Sequence, residues 1–494
     1  VTTTNSATLY IENSPLAGTN QTITNPYALW VDDGVARFDG KIQASGGISS
    51  QYAKILIVDV NGRGDYTTIS SAYTAAVALT PSATNRILVR VLPGEYNEQF
   101  SLTTDYISIE GSGMDSTIVY SASASSTTGV ITSNFSGSNV TVSGLTFDNR
   151  NIAGAHGAAY VYTAGTPRFV LNKFTCSVNC LTGNGGGMYN VSGGIYESNV
   201  IQSNSLGLGG GFAKTISGGT WANNKFIGSS VLLAAVSGGT FTGNTFNTTG
   251  AIALDSPTGG VFEANSFVAT GSGSYTITSV GGGTFTNNYI GASGSSAALH
   301  AVTNGTFINN FIGGIATTGG GASGGSFYGN YITNNAPISG GTWVDNNFET
   351  ALAITAAVTI SGGKVNSGGG YPINTSGSIT VTLKNIELNT SLSVSTSMTA
   401  GDTLVMDNVV LNKPLGATGT FVGTYTNSTN TSTRLNVVQN GTGNIMALDS
   451  TNSSSNGLGI DLQSSSSSQY VLNLTANNGA TNVLYARADG NVGI

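Results

Sequence analysis

The sequence predicts an all-β chain wound as a parallel β-helix, and three observations carry that prediction. First, one phrase returns between Gly193 and Val365: Gly-Gly-Thr-(Phe or Trp), two variable residues, Asn, then an aromatic or aliphatic residue one or two positions later. Copies begin at Gly193, Gly218, Gly238, Gly259, Gly282, Asn304, Gly324, Gly340 and Gly362, at intervals of 16 to 25 residues. A period of roughly 20 residues marks stacked units that bury a face against the next unit. Second, the paired glycines exclude an α-solenoid, since they would break a helix in every unit, and the Leu ladder of a leucine-rich repeat is missing. Third, a bulky residue and an Asn hold fixed places in each copy. This suits a coil of short strands in which Gly makes the corner, the aromatic packs inward and the Asn amide bonds to backbone at the next bend.

Rungs of a parallel sheet lie about 4.8 Å apart, so equivalent residues should form ladders. Tyr196, Trp221, Phe241, Phe262, Phe285, Phe307, Phe327 and Trp343 are expected as one stack. Asn199, Asn224, Asn244, Asn265, Asn288, Asn310, Asn330 and Asn346 are expected as another. Both are read as the scaffold's inner wall and not as a ligand platform.

Composition narrows the function classes. The chain has 494 residues, a net charge of −7 and only 16 Lys plus Arg, scattered, so there is no footprint for nucleic acid. No run of 18 apolar residues occurs, so no membrane insertion is expected, and no signal peptide is read at Val1. Cys176 and Cys180 are the two cysteines; buried thiols are the preferred reading, with a local disulfide or a metal pair as alternatives. His156 and His300 are the only histidines, which argues against a zinc cluster, and no cofactor is expected.

Residues 1–48 read as a separate stem or attachment segment, with a hairpin turning at Asp33-Gly34. Its Tyr-Ala-Leu-Trp-Val-Asp-Asp-Gly-Val-Ala-Arg-Phe-Asp-Gly, residues 27–40, and the closing Val-Leu-Tyr-Ala-Arg-Ala-Asp-Gly-Asn-Val-Gly-Ile, residues 483–494, carry a first resemblance. They are similar to stretches of phage tail-fibre and tailspike proteins that precede an intramolecular chaperone of the endosialidase type. That resemblance implies a homotrimer, other virion tail proteins as partners and an extracellular place on the virion tail. The chaperone is not in this sequence, as expected of a truncated or processed chain.

Residues 49–427 are expected to form the β-helix, and 428–494 a β-rich trimerisation stem. Within the first of these, Gly64-Asp65-Tyr66-Thr67-Thr68-Ile69 and the Ala-rich run after it resemble the entry to pectin-lyase-like and pectin-methylesterase-like β-helices. The resemblance implies a right-handed coil. Ala72, Ala75, Ala76 and Leu79 are expected on one face of a helix near 66–79 that caps the open end of the core. Strands are expected at Ile87–Leu92 and Tyr106–Glu110 with a turn at Pro93–Tyr96, then at 140–147, 159–162, 168–174 and 185–189, and less regularly over 379–411. The catalytic Gln and Asp residues of the methylesterases find no match near His156, 180–183 or 206–211.

Glycoside hydrolysis needs two carboxylates about 5 to 9.5 Å apart. The weak candidates are Asp345 with Glu349 and Asp255 with Glu263, because Glu197 and Glu263 stand three rungs apart, about 14 Å. Tyr189, Tyr275, Tyr328 and Tyr371 are candidates for stacking on sugar rings. The expected function is a viral fibre or spike body that binds a host cell-surface polysaccharide. A polysaccharide depolymerase and a non-viral secreted adhesin are the alternatives.

Overall fold

The computed structural model describes residues 51–411 except 125–127, 151–157, 178–186, 204–212, 230, 251, 272–274, 293–296, 316–320, 335–336, 369–371, 377, 390–395 and 398–401. It also describes Thr19, 470–476, 481–487 and 492–493. The expected 1–48 segment, apart from Thr19, and most of 428–494 lie outside the described residues.

From Lys54 to Leu411 the chain is a parallel β-helix with three sides. One side is a 16-stranded sheet, the second a 15-stranded sheet, and the third a nine-stranded sheet and then a four-stranded one. A typical turn runs Thr240–Thr242 on the first side, Thr245–Thr248 on the second and Leu254–Asp255 on the third. The first side is then regained at Val261–Glu263. All pairings in these sheets are parallel, and they keep register as in Thr240↔Val261, Phe241↔Phe262 and Thr242↔Glu263, with one shift between Tyr162 and Ala164 where that strand pairs with Ile131–Asn134. Such pairing places like residues one above another.

The corners follow from backbone geometry. Gly239 has φ +92°, and a Cβ on Gly238 would stand 2.3 Å from the Ser217 carbonyl oxygen of the rung before, so only glycine lets successive rungs close there. The bend between the first and second sides is made by one left-handed residue per turn. It is Asn223, Asn287, Asn309 or Asp345 (φ 53° to 55°) in some rungs, Gly243 or Gly329 in others, and Leu171, Ser198 or Ala264 (φ 51° to 56°) in others again. Asn and Asp are the side chains that tolerate this region best.

Inside, the expected aromatic stack is present. Ring centroids are 4.0 Å apart for Tyr196–Trp221, 4.7 Å for Phe262–Phe285, 4.8 Å for Phe307 with both Phe285 and Phe327, and 4.0 Å for Phe327–Trp343. Phe169 extends it by one rung, 5.8 Å from Tyr196. A second inner stack of Phe226, Phe246 and Phe267 has 4.5 Å spacing.

The Asn ladder is buried throughout and begins one rung before the expected start, at Asn172. Each side-chain oxygen accepts both the backbone N–H and the amide of the preceding ladder Asn, for example Asn244 N and Nδ2 onto Asn265 Oδ1 at 2.8 and 3.0 Å. Each Nδ2 also donates to a carbonyl of the rung before, as Asn265 Nδ2 does to Phe241 O at 2.8 Å.

Four expectations need correction. The copy read at Gly362 is out of phase: Ile360 aligns with Trp343, so Gly362-Gly363 fall level with Asp345-Asn346 and the Asn ladder stops at Asn346. A Cβ on Gly363 would stand 2.0 Å from the Asn346 carbonyl, so Asn does not fit there. Gly94–Asn97 is a strand and not part of a turn, pairing with Thr117–Tyr120. The capping helix is Ile69–Ala78; it buries Ile69, Ala72, Tyr73 and Ala76, whereas Leu79 is its exposed C-cap. Thr68 accepts from Ser71 N, and the Glu98 carboxylate of the underlying coil accepts from Ile69 N and Ser70 N at 2.8 Å each, which holds the first turn in place. Finally, Cys176 is disulfide-bonded and fully buried, and no described cysteine is a free thiol. Cys180 lies outside the described residues.

A second compact unit, Asn427–Ile494, contains the antiparallel strands Tyr470–Ala476, Thr481–Arg487 and Val492–Gly493.

Candidate functional site

Side chains able to meet a partner are those the strand alternation turns outward, and each side of the coil carries a different set. On the nine-stranded sheet the register aligns Tyr189, Lys214, Ala234, Asp255, Thr278 and His300 in one column, of which Ala234 and Thr278 are buried and the other four half-buried. Three sequence candidates therefore share this face, because Tyr275 lies over His300 with ring centroids 3.9 Å apart and planes 15° apart. Thr278 Oγ1 is 3.0 Å from His300 Nδ1. Partial burial holds the His300 imidazole below its ordinary pKa, so it is neutral at pH 7. Asp255 accepts from Ser256 Oγ at 2.9 Å.

The carboxylate candidates stand on separate elements. Asp255 is on the nine-stranded sheet and Glu263 on the 16-stranded sheet, where it stands three rungs from Glu197 as expected. Asp345 is the left-handed corner residue of its rung, a position that Asn fills elsewhere, and this accounts for an acid there. Glu349 lies beyond the following strand, and no hydrogen bond joins it to Asp345 among the described residues. Tyr328 is 37% exposed between Ile308 and Val344 on the first side. Tyr371 lies outside the described residues.

The most pronounced exposed feature is one that the sequence reading passed over. On the outward face of the 15-stranded sheet, Tyr289, Phe311 and Tyr331 occupy consecutive rungs of one column. Their rings stack, with centroids 4.9 Å apart at 9° and 5.7 Å apart at 22°. Tyr289 is 47% exposed and Tyr331 40%. A Cβ on Gly291 would stand 2.5 Å from Cε1 of Tyr289, so this glycine leaves room for the ring to lie close to the sheet. The stack ends in polar groups. The Glu349 carboxylate beside the Tyr331 hydroxyl pushes that phenol above its ordinary pKa. Asn366 Nδ2 donates to Glu349 Oε1 at 2.9 Å, and Asn389 Nδ2 donates to Asn366 Oδ1 at 3.1 Å.

The signal for this stripe was present as Asn288-Tyr289, Asn310-Phe311 and Asn330-Tyr331, where neighbouring copies have Asn224-Lys225, Asn244-Thr245 and Asn265-Ser266. The residue directly after the ladder Asn points outward and the next one inward. Treating "one or two positions later" as one class merged two faces of a strand.

No family model matches the chain, and no curated protein matches it. Among solved structures it is similar to a pectin methylesterase from carrot, at 12% identity over 72% of this chain and 90% of that one, with a TM-score of 0.26. It is also similar to the Agl-KA catalytic domain, at 14% identity over 70% and 66%, with a TM-score of 0.34. A third is the A-module of the Azotobacter vinelandii mannuronan C-5 epimerase AlgE6, at 14% identity over 70% and 94%, with a TM-score of 0.27. The parallel β-helix itself is shown by this chain's own strand order and pairing.

Proposed function

We propose that the chain is the β-helical body of a virion tail fibre or tailspike, assembled as a homotrimer, that binds a glycan of the host cell surface. The fibre role is supported by the end motifs at residues 27–40 and 483–494. Glycan binding rests on one observation, the stacked and exposed run Tyr289–Phe311–Tyr331 that ends in Glu349 and Asn366. Contiguous aromatic surface on a soluble protein marks a contact site, and aromatic rings flanked by hydrogen-bonding groups complement the apolar C–H face and hydroxyl edge of a sugar. A rigid sheet also holds such rings in place without an ordering cost on binding.

The test is binding of purified protein to capsule and O-antigen polysaccharides, comparing the native chain with Tyr289→Ala/Tyr331→Ala. Loss of binding in a folded variant supports the reading; undiminished binding overturns it. Release of new reducing ends or unsaturated sugars would favour the depolymerase alternative.

A further inference from the structure

The 16-stranded sheet contains a step. Between consecutive regular rungs three residues pair, as in Ser326↔Thr342, Phe327↔Trp343 and Tyr328↔Val344. At the next rung only Trp343↔Ile360 and Val344↔Ser361 pair, although the strand itself starts earlier, at Val358. The longer strand is taken up on its other side, where Val358↔Val381 and Thr359↔Thr382 do pair.

The backbone records the same break. Ser326 N–H donates to Gly305 O and Thr342 N–H to Gly325 O, both at 2.9 Å. Among the described residues no corresponding bond runs from Thr359 N–H to Gly341 O. A groove of about 480 Å³ opens at this place, and both Gly341 and Thr359 line it.

The lining chemistry limits what fits. Hydroxyls come from Thr342, Thr359, Ser361, Thr380 and Thr382, apolar surface comes from Val344, Ala357 and Val358, and no lining residue is charged. An amide and a carbonyl released from the ladder offer one donor and one acceptor, and an exposed polar pair of this kind is best satisfied by a group that both donates and accepts. The volume lies within the range of small-ligand sites, roughly 300–1,000 Å³.

We propose that this groove is a subsite for an uncharged sugar ring, separate from the aromatic stripe and on a different side of the coil. A ring hydroxyl bridges Thr359 N–H and Gly341 O, the threonine hydroxyls take its neighbours, and Val344 meets its C–H face. An anionic sugar is disfavoured because nothing lining the groove neutralises a carboxylate. The inference rests on the glycan-binding reading above and names the sugar class for a second site.

The experiment follows threonine methyl resonances of the full chain during titration with neutral gluco-, galacto- and manno-oligosaccharides, and with an oligogalacturonate as the anionic probe. Shifts at Thr359, Thr380 and Thr382 with at least one neutral sugar are expected, in the native chain and equally in Tyr289→Ala/Tyr331→Ala. Thr359→Val/Thr382→Val should weaken that sugar at least tenfold, read by calorimetry, with its thermal midpoint reported alongside. No shift at these methyls with any neutral sugar, or shifts with the anionic probe alone, overturns the proposal. Because the stripe variant is read separately, failure of the groove leaves the stripe result standing, and the reverse.

Discussion

The backbone N–H and the side-chain Nδ2 of Asn330 both donate to the single Oδ1 of Asn346, each at 2.9 Å. The same fork repeats up the coil, so each ladder Asn supplies the acceptor for two buried donors of its predecessor.

Replacing one ladder residue should therefore cost more than one hydrogen bond. Asn265→Ala leaves the Asn244 backbone N–H and one of its two Nδ2 hydrogens without an acceptor, the other still reaching Trp221 O, and removes the donor to Phe241 O. Buried polar groups left unpaired cost about 1–3 kcal/mol each, so a loss of about 3 kcal/mol or more is expected. An unfolding free energy from urea titration that stays within about 0.5 kcal/mol of the native value would contradict the ladder's role.

The inner and outer aromatic stacks should separate in the same assay. Phe285 is fully buried between Phe262 and Phe307, and Phe285→Ala is expected to destabilise by about 3–5 kcal/mol. Phe311 stacks on the outward face, and Phe311→Ala should cost about 1 kcal/mol while weakening glycan binding. Thermal midpoints beside binding isotherms distinguish the two outcomes.

Single changes at the ends of the stripe should reduce affinity with little effect on folding. An aromatic stacking contact contributes about 0.5–1.5 kcal/mol, so Tyr289→Ala and Tyr331→Ala are each expected to weaken binding about 2- to 12-fold. Phe replacements should retain most of that affinity at Tyr289. At Tyr331 the hydroxyl beside Glu349 is lost as well, and a further decrease is expected. Calorimetry on the four variants reads both effects.

His300 gives a pH signature. Its folded pKa lies below the ordinary 6.5 because burial disfavours the imidazolium, so the unfolded chain binds the extra proton first on acidification. The contribution of the neutral ring is complete above pH 6.5 and declines as pH falls through the lowered folded value. In a His156→Ala background the remaining imidazole resonance should titrate below 6.5; a midpoint at or above 6.5 would refute the assignment.

The repeat made the coil, the inward ladder and the Gly-Gly corner legible, because each depends on a residue type that few alternatives can replace. Gly362 misled for the same reason: a glycine pair serves equally at the corner after the third side and at the bend after the first, and only the alignment of Ile360 with Trp343 tells them apart. The outward stripe was obscured by the one-residue alternation that separates Tyr289 from Ile290. That Asp345 is a left-handed corner residue was not legible either, since sequence does not display φ. The groove beside Thr359 was invisible, since strand length there changes without any motif.

The Asn column also gives the coil a direction. From Asn172 to Asn330 every side-chain oxygen accepts from the rung before it, so the amides form one polar file with donors pointing toward the C-terminal end. The two ways of shortening such a file are unequal. A coil cut on the C-terminal side of a rung leaves a backbone N–H and one Nδ2 hydrogen without an acceptor, whereas one cut on the N-terminal side ends in an oxygen whose amide is still bonded forward. The two ends of the ladder are therefore chemically different, the C-terminal one calling for an acceptor and the N-terminal one for a donor.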